Sequence, residues 1–193
     1  MAQSLAARAS AHDMDLVGLS ASGNREAFGE LVRRHGSGVR ALLRRMGADP
    51  ATADDLAQDA FLAAFEQIAD FRGEGAFSGW VKRIAARLYV RRWRRESRIP
   101  MSQIGPDDEM AEGPGEAGVN ARIDLDEALG TLSEVERVCV TLCYGAGLSH
   151  GEAAVALNAP LGTVKSHVKR GLDKLKGRLA PSSSLSGQER VHG

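Results

Sequence analysis

Residues 149–170 read SHGEAAVALNAPLGTVKSHVKR, and the fold follows from this stretch. Ser149 and Glu152 have the spacing of a capping box, in which serine and glutamate each satisfy the other's free amide, so they open a short helix over Gly151 to Leu157. Asn158-Ala159-Pro160 then interrupts it, because proline lacks an N–H and asparagine tolerates turn geometry. Beyond the turn Val164, Val168, Leu172, Leu175 and Leu179 recur at i, i+4, i+8, i+11 and i+15, one face of a second helix. Ala153 and Ala154 are small enough to let the two helices cross closely, which makes the pattern a helix-turn-helix. Away from the apolar stripe stand Lys165, Ser166, Lys169, Arg170 and Asp173, with Gly162 and Thr163 in the first turn. Long basic donors suit guanine edges and phosphates, and small residues allow close backbone approach, so this helix is a candidate DNA reader. Lys174 and Lys176, further along, are expected to touch phosphates.

Immediately upstream, Ser133 to Glu136 is another capping box, opening a helix with Val135, Val138, Cys139 and Leu142 inward and closed by Gly145-Ala146-Gly147. The 193 residues make one compact unit or two small ones. At 43% hydrophobic the chain can build real cores, and with only 5% aromatics it favours Ala- and Leu-rich helices over a sandwich. The fold class is all-α. No apolar run approaches the roughly 20 residues of a membrane span, and MAQSLAARASAHDMD lacks a signal-type stretch, so no membrane insertion and a cytoplasmic location are expected. Two cysteines make no disulfide framework; Cys139 and Cys143 are expected to be core thiols, because a structural zinc needs two more ligands.

The net charge of zero hides strong segregation. Lys82 to Arg98 carries eight cations against Glu96 alone, and Thr163 to Arg178 six against Asp173. Between them, Pro106 to Glu127 carries eight acids against Arg122. Two basic modules joined by an acidic connector imply polyanion contacts at two places. Residues 100–120, rich in Gly, Pro and acids, read as a flexible linker between modules spanning 13–99 and 121–180. Residues 1–12 and 181–193 have the composition of disordered ends.

In the first module a short helix from about Asp13 to Ala21 precedes a longer one carrying Phe28, Leu31, Val32, Val39, Leu42 and Leu43, with Gly36 and Gly38 as candidate kink points. Asp49-Pro50 starts a third, from about Ala53 to Ala69, with an apolar stripe of Ala57, Phe61, Ala64, Phe65 and Ile68. Its opposite face shows Asp55, Gln58, Asp59 and Leu62. The glycine-rich loop from Phe71 to Gly79 leads into a helix with Trp80, Ile84 and Leu88 as its stripe and arginine over most of the rest.

DDLAQDAFL (54–62), FRGEGAFSGW (71–80) and LGTVKSHVKR (161–170), in this order around an acidic linker, resemble bacterial extracytoplasmic-function sigma factors of the sigma-seventy class. The resemblance covers roughly Asp13 to Leu179. It implies two helical domains that bind core RNA polymerase, open promoter DNA and select the start of transcription, with no enzyme activity and no cofactor. By resemblance Asp55, Gln58, Asp59 and Leu62 dock on the coiled coil of the largest polymerase subunit, and the second domain rests on the flap. Phe71, Arg72, Phe77, Trp80, Lys82, Arg83, Arg87, Arg91 and Arg94 fall in the region that reads and melts the minus-ten element. Strand opening needs apolar surface for unstacked bases and cations for the backbone, which these residue types supply. Arg87 and Arg91 stand where many relatives carry Asn and Asp, so base preference does not transfer. Gly162, Thr163, Lys165, Ser166, His167, Lys169 and Arg170 match the minus-thirty-five reader. In the family the acidic linker threads the basic cleft of the polymerase, and an anti-sigma factor and a stress response are expected partners of such a chain.

Bland readings stand beside these. A charged helix face is usually just solvated, aromatics at helical spacing are commonly core, and a surface His can be neutral. Two rivals are a free-standing helix-turn-helix regulator, which would dimerise on two half-sites, and an enzyme built on the first module's carboxylates, for which no convergent acid and base is found. Gly73-Glu74-Gly75 lacks the Gly-Lys-Ser/Thr ending of a phosphate-cradling loop.

Overall fold

Asn24 and Gly47 bracket the longest helix of the amino-terminal half. The Asn24 side chain accepts hydrogen bonds from the Glu26 and Ala27 amides at 3.1 and 3.0 Å, and Gly47 ends the helix at φ 116°, a left-handed conformation that glycine adopts without a Cβ penalty. The computed structural model describes residues 11–73, 75–97 and 125–179. The expected linker at 100–120 and the tail at 181–193 lie outside them, as do residues 1–10.

Among the described residues the elements are all helical: α1 Asp13–Ala21, α2 Arg25–Met46, α3 Pro50–Glu66, a 3-10 turn Ile68–Asp70, α4 Phe77–Glu96, α5 Leu125–Gly130, α6 Glu134–Val140, a π-helical turn Thr141–Gly145, α7 His150–Leu157 and α8 Leu161–Leu179. None is long and apolar enough to cross a membrane. α2 runs through Gly36 and Gly38 as one helix, so neither glycine interrupts it. The helix expected over Ala53 to Ala69 starts earlier, at Pro50, because the Asp49 carboxylate caps the Thr52 amide at 3.0 Å; it ends at Glu66, where the 3-10 turn takes over. Residues 11 and 12, expected among the disordered end, are held: Arg34 donates to the Ala11 carbonyl at 2.8 Å and to Asp13 at 2.9 Å, and His12 precedes α1.

α2, α3 and α4 form the first unit around Leu31, Val39, Leu43, Met46, Ala60, Ala64, Val81 and Ala85, each fully buried. α4 turns differently from the expected stripe. Val81, Ala85, Ala86, Tyr89 and Val90 face the core, while Trp80, Ile84 and Leu88 lie half-buried at its margin. The helix is rotated by about one residue from the expected stripe, from Trp80, Ile84 and Leu88 to Val81, Ala85 and Tyr89, a packing choice that hydrophobicity alone does not encode.

α6, α7 and α8 form the second unit. Both expected capping boxes are present, at Ser133/Glu136 and Ser149/Glu152. Asn158 closes α7 in the left-handed region at φ 53° and carries the chain into α8. Gly171 marks the crossing of α8 over α6, since a Cβ there would lie 2.7 Å from Val140 Cγ2. The cores of the two units merge: one apolar cluster includes Leu42, Val90 and Trp93 together with Val138, Leu142, Leu148 and Leu157.

Candidate nucleic-acid and partner interfaces

On α3 the core takes Ala53, Leu56, Ala57, Ala60, Phe61 and Ala64, which leaves Asp55, Gln58, Asp59 and Leu62 on the outer face. All four are exposed, Leu62 by 56%. A large aliphatic side chain amid acids on the outside of a helix gives a partner something apolar to bury within a charged frame. Asp54 lies beside this face and pairs with Arg40 at 3.6 Å.

The aromatics of the 71–80 loop form a cluster. Phe71 and Trp80 ring centroids lie 5.1 Å apart, and Phe77 meets Phe71 edge-on at 6.0 Å. Phe77 is only 1% exposed, so it anchors the start of α4 in the core and is withdrawn from bases, contrary to the sequence expectation. Phe71 and Trp80 are half-buried and Arg72 is exposed. Along α4, Arg83, Arg87, Arg91 and Arg94 recur at i, i+4, i+8 and i+11 as one exposed ridge, with Lys82 half-buried beside it. Arg87, Arg91 and Arg94 form one wall of an open cleft of about 700 Å³ whose other wall is Gly151, Glu152, Val155 and Ala156 of α7. The α7 wall had no sequence signal, although Val155 is 82% exposed.

On α8, Gly162, Lys165 and Lys169 are exposed, and Thr163, Ser166 and Arg170 are half-buried. His167 is corrected. It is 3% exposed, its Nδ1 lies 3.0 Å from Arg170 Nη2, and in this fold it cannot reach a phosphate. It sits three residues after Val164, so the buried stripe of α8 is wider than its aliphatic members suggested.

Lys174 is corrected as well. Its Nζ donates to Glu136 Oε2 at 3.0 Å, so it ties α8 to α6 and is not free for a phosphate. Burial works to raise the Glu136 carboxyl, but the hydrogen bonds from Lys174 and from the Ser133 amide outweigh it and hold it below its usual range. A carboxyl held low in the folded state stabilises the fold above the ordinary carboxylate range and ceases to do so as pH falls through its folded value. Glu136→Gln is therefore expected to lower stability at pH 7 by about 1–2 kcal/mol, the half-exposed Lys174 limiting the effect. Thermal unfolding of both proteins at pH 7 and pH 3 checks this, and the gap should narrow at pH 3.

Cys139 is buried and Cys143 half-buried, in keeping with core thiols; burial first, then the neighbouring Cys143, pushes the Cys139 thiol up to about 12, so it is not a reactive thiolate. Among the described residues no three His, Cys, Asp or Glu side chains converge as a metal site would require.

Comparison with known proteins matches these surfaces to two family regions. Residues 31–99 match Sigma-70 region 2, and residues 122–175 match Sigma-70, region 4. The chain is 33% identical over 178 residues to RNA polymerase sigma factor NccH of Alcaligenes xylosoxydans xylosoxydans, covering 88% of this chain and 96% of that protein. It is 34% identical over 168 residues to ECF RNA polymerase sigma factor SigE of Mycolicibacterium smegmatis, where it covers 84% of this chain and 65% of the relative. Among solved structures, CnrH in complex with the cytosolic domain of CnrY shares 29% identity and a TM-score of 0.51, over 89% of this chain and 99% of that one. With both regions in order and NccH matched over 96% of its length, the chain belongs to the extracytoplasmic-function group of the sigma-70 family, the alternative sigma factors that direct RNA polymerase to promoters.

Proposed function

We propose that the two units divide the work of promoter-directed initiation. The first, residues 13–99, holds core polymerase through Asp55, Gln58, Asp59 and Leu62 on the largest-subunit coiled coil, and opens the minus-ten element. The second, residues 121–180, rests on the flap and places α8 in the major groove of the minus-thirty-five element. The observation that carries this reading is the separation of surfaces: an exposed acidic face with Leu62 on α3, an arginine ridge on α4, and the exposed Lys165 and Lys169 on α8. Arg72, Lys82, Arg83, Arg87, Arg91 and Arg94 hold the opened backbone, and the exposed edges of Phe71 and Trp80 take unstacked bases. Gly162, Thr163, Lys165, Ser166, Lys169 and Arg170 form the duplex-reading surface, without His167. The chain brings no catalytic activity and works beside the polymerase in the cytoplasm. As the CnrH chain was solved with the cytosolic domain of CnrY, we propose that this chain also takes an anti-sigma factor.

The test is reconstitution. Core polymerase, this chain and a promoter library should give transcripts with defined start sites, and core alone should not. If the isolated chain forms a sequence-specific dimeric complex on duplex DNA and core polymerase adds no start-site selection, the regulator reading replaces this one. Lys165→Ala, Ser166→Ala and Lys169→Ala in holoenzyme, on promoters randomised across the minus-thirty-five element, extend the test. The residue that reads a guanine edge should cost about 1–3 kcal/mol and relax one position. If no variant changes base preference, α8 only clamps the backbone.

A further inference from the structure

A histidine links α1 to the aromatic cluster at the start of α4. His35, half-buried on α2, places its Nε2 2.7 Å from Asp13 Oδ2, at the first residue of α1. A carboxylate oxygen accepts, so Nε2 carries the proton in this bond. The other oxygen, Asp13 Oδ1, accepts from Arg34 at 2.9 Å, and Arg34 also donates to Glu30 at 2.8 Å. The carboxylate is held on both oxygens, so the imidazole cannot turn without breaking a bond to an anchored partner.

The same imidazole meets Phe77, with ring centroids 5.5 Å apart and planes tilted by 51°. Phe77 in turn meets Phe71 at 6.0 Å and Trp80 at 5.8 Å, and those two rings lie 5.1 Å from each other. Phe77 is buried, so it acts on its neighbours and not on DNA. α4 needs such a hold at its start. Its N-cap, Ala76, offers no side-chain hydrogen bond, and the loop before it passes through Gly73 and Gly75 at φ 75° and 91°. α1 also meets this loop directly, since a Cβ on Gly73 would lie 3.0 Å from Met14 Cε. One turn of α1 therefore braces the loop at Gly73 through Met14 and at Phe77 through His35.

We infer that Asp13 and His35 are positioning residues for strand opening: the pair fixes, through Phe77, the Phe71 and Trp80 edges on which unstacked bases lie. The inference rests on the minus-ten reading proposed above. A ring already held in one orientation receives a base without a further ordering cost, whereas a loose ring gives part of the stacking gain back. A pair that merely tied α1 to α2 would contribute to stability and leave stacking unchanged.

Stacking is read by binding of holoenzyme to a single strand carrying the minus-ten sequence of a promoter recovered from the library, against the same strand made abasic at one position at a time. The ratio of the two affinities cancels changes in fold, assembly and backbone charge. In the wild type it should reach about tenfold at the stacked position, the order expected for one base on an aromatic ring. Trp80→Ala should bring it close to one. His35→Phe keeps a ring beside Phe77 but has no donor for Asp13, and should lower the ratio to about threefold. Asp13→Ala should do the same, and the double variant should fall no further than either single, because both break one bond. Affinity for the abasic strand should stay near wild type throughout. Ratios of wild-type size in His35→Phe and Asp13→Ala, or a double variant that adds the two losses, overturn the inference. A wild-type ratio near one at every position would instead remove the base-receiving role of Phe71 and Trp80 on which it rests.

Discussion

Asp59→Lys should lower affinity for core polymerase about thirtyfold, the loss of about 2 kcal/mol that marks the centre of a protein interface. Asp59 is exposed on the outer face of α3, one turn from Leu62, and none of the buried side chains of α3 depends on it. The substitution replaces an acid with a cation at the middle of the acidic face, so it removes an attraction and adds a repulsion in one step. Helicity by circular dichroism and the unfolding temperature should stay near wild type, because surface substitutions away from caps and cores usually change stability by no more than about 0.5 kcal/mol. Competition against a labelled chain for core polymerase measures the effect. Unchanged competition with intact helicity would remove Asp59 from the interface and move the search to the neighbouring Asp54 and Arg40, which already pair with each other.

The second large effect is on strand opening. Arg91→Ala/Arg94→Ala should reduce the permanganate reactivity of promoter thymines about tenfold while holoenzyme still assembles, because two cations leave the track that holds the separated backbone. The salt dependence should shallow by about 1.4 units, the share expected for two single-strand phosphate contacts. Arg94 also donates to the Ala156 carbonyl, so its removal takes away one contact between α4 and α7 as well. Recruitment and melting are read separately: recruitment to duplex promoter is held, and melting falls. A premelted bubble template should rescue transcription. If it does not, these arginines act at another step.

Much of this was legible from local pattern. Ser133, Ser149, Glu136 and Glu152 determine two helix starts because a cap needs only neighbours three residues apart, and both capping boxes form as read. The outer face of α3 was readable for the same reason, since helical period alone separates Asp55, Gln58, Asp59 and Leu62 from Ala57, Phe61 and Ala64. Charge segregation between the modules needed no structure at all.

The tertiary structure decided what depends on approach distance. Phe77 and His167 have the residue types of a nucleic-acid surface, but packing withdraws both: Phe77 lies among His35, Phe71 and Trp80, and His167 is turned into the buried side of α8. Lys174 is a surface cation by sequence and a tie to Glu136 in the fold, 38 residues away along the chain. The contacts of Arg83, Trp93, Arg94 and Arg45 with the second unit join residues 41 to 81 positions apart. No local period carries information across such a separation. Composition and spacing thus determined what surfaces this chain owns, and only the packing of one unit on the other decided which of them are covered.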